Sequence, residues 1–199
     1  MSKINAVCVY CGSSPGTEPA FVAAAKKLGQ IFAENGVRLI YGGGSVGLMG
    51  AIAEAVLAHG GEATGIIPEF LMQKERATHD HEMIVTGGMH ERKRKMFERA
   101  DAFVALPGGI GTLEELVEQL TWIQLGRHKK PILIANIGGY WNPFLELIEH
   151  MRAVQFVPPA LRVDFLVADR VEDILPMLQD AARRVAETEK AMAVPAERL

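Results

Sequence analysis

The 199-residue chain carries 21 basic and 24 acidic residues, a net charge of −3, and a 49% hydrophobic share. That length and apolar content suffice for one domain whose core needs no covalent staple. Without an overall positive field to hold nucleic acid or an anionic membrane, any anion must be taken by a local site.

At the amino end, Met1-Ser2-Lys3 leads straight into a strand-like run and lacks the apolar length and small-residue exit of a secretion signal. No apolar stretch approaches a membrane span, so the expectation is a cytoplasmic protein with neither membrane nor nucleic-acid partners. The first strand is predicted at Ala6 to Tyr10. It ends in Cys11-Gly12-Ser13-Ser14-Pro15-Gly16, which reads equally as a plain turn or as a loop offering the Ser13 and Ser14 hydroxyls and backbone amides to a ligand. Cys8 and Cys11 form a C-x-x-C, but strand alternation puts them on opposite faces and no helix start follows, so two ordinary thiols are expected rather than a redox or metal pair. A helix follows from about Pro19 to Asn35, stopped by Gly36.

Val37 to Tyr41 is the second strand, and the glycine-rich run Gly42 to Gly50 opens a helix reaching about His59. Gly42, Gly44 and Gly47 fit G-x-G-x-x-G. Yet the third strand, Ala63 to Ile67, exits through Pro68 and not through the acidic residue that clamps a dinucleotide's ribose. A mononucleotide phosphate cradle is the better reading, with Gly43 and Gly44 as its contacts. His79-Asp80-His81-Glu82 precedes a fourth strand, Met83 to Thr86, without an ordered third ligand at metal-binding spacing, so a structural or surface role is expected and no metal. On the next helix Met89, Met96, Phe97 and Ala100 make the apolar stripe, with Arg92 and Lys93 at its border near the N-terminal end. A basic run of this kind usually faces solvent, and the acidic balance and lack of interleaved aromatics argue against nucleic acid. Position argues for more than solvation, because Arg92 projects at the carboxyl edge of the sheet, where α/β folds bind ligands.

Ala102 to Leu106 is a short apolar run suited to a strand buried on both faces, ended by Pro107. Gly108, Gly109 and Gly111 then precede a helix, so that their amides can converge on an anion over its positive end. Thr112-Leu113-Glu114-Glu115 also has the spacing of a capping box, in which Glu115 only reaches back to the Thr112 N–H. The helix runs to about Gly126 and carries Leu116, Leu120, Trp122 and Ile123, more apolar surface than one core face requires, which predicts a homodimer interface. A strand at Pro131 to Asn136, a loop at Gly138-Gly139, a helix at Pro143 to Arg152, a strand at Asp164 to Val167 and a helix from Val171 to about Glu189 complete the pattern. Alternation of strand and helix throughout predicts one α/β domain over residues 1–190, a Rossmann-like doubly wound parallel sheet with helices on both faces. Residues 191–199 are expected to form a disordered tail.

Pro107-Gly108-Gly109-Ile110-Gly111-Thr112-Leu113-Glu114-Glu115 resembles the P-G-G-x-G-T-x-x-E signature of the LONELY GUY proteins, and Met89-His90-Glu91-Arg92-Lys93 resembles their M-x-x-R-K element. Cys11 to Ser14, Gly42 to Gly44 and Thr121-Trp122 to Gly126 match in order, so the resemblance covers nearly all of the chain except the tail. It implies a phosphoribohydrolase acting on cytokinin riboside monophosphates without a cofactor. Arg92 and Glu115 are then the catalytic pair, Gly108, Gly109, Ile110, Gly111 and Thr112 hold phosphate and ribose, and Lys93, Glu75 and Thr121 are further substrate contacts. Many proteins of this kind carry the label "lysine decarboxylase", but a pyridoxal phosphate enzyme needs a Schiff-base lysine and a partner for the pyridinium nitrogen, and no lysine here has a distinctive setting. The chemistry of the residues agrees with the resemblance: cleaving a C1′–N9 bond makes the ribose oxocarbenium-like and calls for a carboxylate beside C1′. The alternative of another class is a nucleotide-binding or regulatory protein that senses AMP-like ligands without turning them over. A pure binder has no need of a carboxylate near an anionic ligand.

Overall fold

The computed structural model describes residues 4–72, 81–157 and 164–193. Seven strands form one sheet: β1 (Ala6–Tyr10), β2 (Arg38–Tyr41), β3 (Ala63–Pro68), β4 (Glu82–Thr86), β5 (Ala102–Ala105), β6 (Ile132–Ala135) and β7 (Leu166–Ala168). Six helices lie between and after them: α1 (Pro19–Glu34), α2 (Gly47–Ala58), α3 (Met89–Arg99), α4 (Ile110–Gln124), α5 (Asn142–Ala153) and α6 (Val171–Ala193). The order across the sheet is β4-β3-β2-β1-β5-β6-β7 and every pairing is parallel. The chain thus winds outward from β1 in one direction, returns to its other side at β5 and winds outward again. This is a doubly wound sheet, and its crevice opens beyond the carboxyl ends of β1 and β5, where the winding reverses.

The strand sequences explain the layering. AVCVY, AFVA and ILIA are buried on both faces, as central parallel strands must be. Val7, Val9, Leu39 and Tyr41 pack against α1, α2 and α6, whereas Cys8, Ile40, Phe103 and Ile134 pack against α3, α4 and the segment leading into α5. Each large side chain so enclosed stabilises the fold by roughly 1.5–3 kcal/mol relative to exposure. Cys8 and Cys11 fall into opposite layers as alternation requires, and both are buried free thiols. Short 3₁₀ turns at Glu69–Leu71 and Ile137–Gly139, which periodicity could not show, follow β3 and β6. α6 extends to Ala193, past the point where a tail was expected to begin, because Ile174, Leu175, Leu178 and Ala182 pin it to the core; residues 194–199 lie outside the described residues.

Candidate active site

Three loops meet at the crevice, and Gly12 ties them together. Its N–H donates to the Pro107 carbonyl at 3.1 Å, its own carbonyl accepts from the Leu48 N–H at 3.0 Å, and a Cβ there would lie 3.3 Å from the Gly108 Cα. Gly47 makes the closest approach: φ is +63°, and a Cβ would come within 2.3 Å of the Ser13 carbonyl carbon. Gly12, Ser13, Ser14, Gly108, Gly109, and Tyr140 from the loop after β6 line a cleft of about 260 Å³. The Tyr140 hydroxyl donates to the Gly108 carbonyl at 2.5 Å, fixing one wall. Sequence reasoning missed Tyr140; its signal is an aromatic directly after Gly138-Gly139, at the carboxyl end of β6.

The start of α4 departs from the capping-box expectation. The helix begins at Ile110 with Gly109 as N-cap, so Thr112 is its third residue, and no side chain caps it. Ile110 and Gly111 are exposed, leaving the first amides of the helix open toward solvent at its positive end. Thr112 is buried against Gly108, where a Cβ would lie 2.2 Å from the threonine Oγ1. Glu115 turns inward instead of back to the cap.

The Glu115 Oε1 accepts from Arg92 Nη1 at 2.6 Å, and both residues are 8% exposed. Arg92 Nε donates to the Ile66 carbonyl near the carboxyl end of β3 at 3.0 Å. The remaining Nη2 lies beneath Gly42, where a Cβ would be 2.5 Å away. Helix α3 supplies the cation, α4 the anion and β3 the anchor, and an absent side chain after β2 leaves the guanidinium room. Burial raises the Glu115 carboxyl above the ordinary range, with the Arg92 charge and hydrogen bond opposing that rise.

The other expected contacts are placed differently. Lys93 pairs with Glu114 and with Glu118 at 3.4 Å; burial lowers its pKa, but the carboxylates together outweigh this and leave it raised. Like Arg92 and Glu115, it is not among the residues that line the cleft of about 260 Å³, but unlike them it is held by exposed and half-buried carboxylates of α4. Gly43 (φ +79°) and Gly44 are buried, and a Cβ on Gly43 would lie 3.0 Å from Ile67 Cβ and from Met83 Cε, so Gly43 lets the loop lie flat on the sheet edge. The Thr121 hydroxyl donates to the Val117 carbonyl at 2.8 Å and lines a groove between α4 and α5, away from Glu115. Glu75 and the His79-Asp80 pair lie outside the described residues. His81 Nε2 instead sits 2.8 Å from the Tyr41 hydroxyl, with the rings stacked. The basic run of α3 is engaged by acids: Lys95 with Glu91, Arg94 with Glu98, and Arg99 with Glu82.

Probable cytokinin riboside 5′-monophosphate phosphoribohydrolase LOGL9 of Oryza sativa subsp. japonica is 45% identical over 90% of this chain and 79% of its own length. Cytokinin riboside 5′-monophosphate phosphoribohydrolase LOG7 of Arabidopsis thaliana is 42% identical over 90% of this chain and 83% of its own. The chain belongs to the LONELY GUY family. A family model described as "Possible lysine decarboxylase" also matches residues 49–178. The site of this LONELY GUY protein does not suit that description, since its charged pair is arginine and glutamate and the adjacent Lys93 is held by two carboxylates. Among solved structures, the Moco carrier protein from Chlamydomonas reinhardtii superposes with a TM-score of 0.69 at 20% identity, covering 92% of this chain and 99% of that one. The molybdenum cofactor binding protein from Rippkaea orientalis gives 0.67 at 21%, covering 90% and 98%. At such identity the likeness is one of fold.

Proposed function

We propose that this LONELY GUY protein is a hydrolase of the N-glycosidic bond in nucleoside 5′-monophosphates, acting on cytokinin riboside 5′-monophosphates, AMP, or both. The products are a free adenine-type base and ribose 5-phosphate. The observation that carries the reading is the buried Arg92–Glu115 pair at the carboxyl edge of the sheet, beside a glycine cleft at the point where the winding reverses. A structural ion pair has no need of that address.

The open amides at the start of α4, with the Ser13 and Ser14 loop opposite, take the 5′-phosphate. Binding energy from that remote group is then available at the bond that breaks. As the C1′–N9 bond parts, its electron pair leaves on the base and positive charge develops on the ribose, which the Glu115 carboxylate stabilises. Water adds through its oxygen to C1′; Glu115 accepts the proton released, and the departing base takes up a proton in turn. Arg92 holds Glu115 ionised and aimed until substrate arrives.

The test is incubation with AMP and with isopentenyladenosine monophosphate, followed by chromatography for free base and ribose 5-phosphate. Tight binding without release of base would support the non-catalytic alternative. Adenosine, which lacks the phosphate, should be a poor substrate. Turnover of adenosine equal to that of AMP would remove the phosphate from the account.

A further inference from the structure

Behind Glu115 the seam between α3, α4 and the sheet contains a polar group that the reaction as described does not use. Gln119 is 1% exposed, and neither its Nε2 nor its Oε1 has a hydrogen-bond partner among the described residues. A carboxamide buried with both ends unpaired is costly, and an apolar side chain of the same length would fill the seam without that cost. The buried face of α4 reads Thr112, Glu115, Leu116, Gln119, Leu120, so Gln119 stands one turn beyond Glu115 on the same stripe. At that spacing the two Cβ atoms are about 5–6 Å apart, so the carboxamide and the carboxylate can share one water. A buried water needs two to four polar partners, which the Gln119 carboxamide and the Glu115 carboxylate supply.

We propose that Gln119 is a positioning residue for Glu115: it holds, with the Glu115 carboxylate, an ordered water that donates to the carboxylate from behind and keeps it ionised and aimed at the ribose. The role rests on Glu115 being the reacting carboxylate, as proposed above. Arg92 cannot serve alone, because any contact it makes with substrate weakens its hold on Glu115 at the moment when the negative charge is needed. A second donor, reached through the helix's own spacing, stays in place throughout. The charged groups acting on Glu115 are Arg92 and Lys93 from α3 and Glu114 on α4 itself, with Tyr10 and Cys8 of β1 in the same buried layer. None of these is altered by replacing Gln119.

The test is Gln119→Met in the full chain, with Glu115→Gln measured alongside. Methionine keeps the length and volume but cannot bind the water, so the folded protein should melt no lower than wild type. It should turn over roughly tenfold more slowly with KM unchanged, as expected on losing one hydrogen bond to a charged group. The acid limb of its kcat profile should move to higher pH, because a donor to the carboxylate form has been removed. A purely structural glutamine predicts a changed melting temperature with kcat and the pH profile as in wild type, and that result would overturn the inference. If Gln119→Met does not fold, Gln119→Asn decides the matter: it stays neutral but withdraws the carboxamide by one methylene, so the acid limb should again move upward, and a wild-type profile counts against the proposal. Wild-type release of base by Glu115→Gln would instead sink the reading of Glu115, a failure distinct from that of Gln119.

Discussion

At the scale of single residues, Glu115 carries the chemistry, and the charge can be removed while its shape is kept. Glu115→Gln still offers Arg92 an acceptor, so the variant should fold, and release of base should fall by roughly 10²–10⁴-fold. Circular dichroism with a chromatographic turnover assay separates the two effects. The pH dependence follows from the burial of the same group. Because Glu115 acts as a carboxylate and its pKa is raised, the rate should fall as pH drops through a value above the range of ordinary glutamates, measurable as the acid limb of kcat/KM. An acid limb at or below the ordinary glutamate pKa would mean that another group titrates. Of the two roles that the T-x-x-E spacing left open for Glu115, the cap is not formed: the helix starts two residues before Thr112, and Glu115 faces the core.

At the scale of elements, the glycines of the converging loops do different work, and two alanine substitutions distinguish them. At Gly47 a Cβ meets Ser13 backbone at 2.3 Å and φ is positive, so Gly47→Ala should lower the melting temperature by several degrees through displacement of the first loop. At Gly42 the obstacles are the ends of flexible side chains, Arg92 Nη2 at 2.5 Å and Met49 Sδ at 2.9 Å. Gly42→Ala should therefore lower the melting temperature less than Gly47→Ala does and cut turnover by shifting the guanidinium. Equal effects of both on stability would contradict this division. The strands were readable because AVCVY, AFVA and ILIA are short apolar runs between breakers, and the glycine loops because they sit where strand gives way to helix. What periodicity could not supply was contact across the sheet. The Tyr140 wall, the engagement of Lys93 by Glu114 and Glu118, and the Arg92 anchor on Ile66 all join residues at least 20 positions apart.

At the scale of the whole molecule, the apolar surplus on α4 lies elsewhere than expected. Trp122 is partly buried and meets Phe97 edge to face, whereas Val117 and Leu125 on and beside α4 and Leu147 on α5 are exposed. Val117, Leu147 and Thr121 line the groove between the two helices, and on that apolar groove we propose the homodimer expected from the sequence. Light scattering across a dilution series should give twice the chain mass, and Val117→Asp should give the monomer. A wild-type monomer at all concentrations would refute it.

The parallel sheet also decides at which rim β1 begins and to which rim α6 returns. All strands deliver their carboxyl ends to the crevice, so β1 starts from the opposite rim, and α6, 23 residues long, runs back toward that rim, where Glu189 reaches Lys129 just ahead of β6 at 3.2 Å. A fluorophore, an affinity handle or a covalent tether to a solid support, attached to the side chain at position 5 or 190, therefore leaves from the side of the molecule that faces away from the cleft. Protein immobilised through either position should present its open face to the bulk solution.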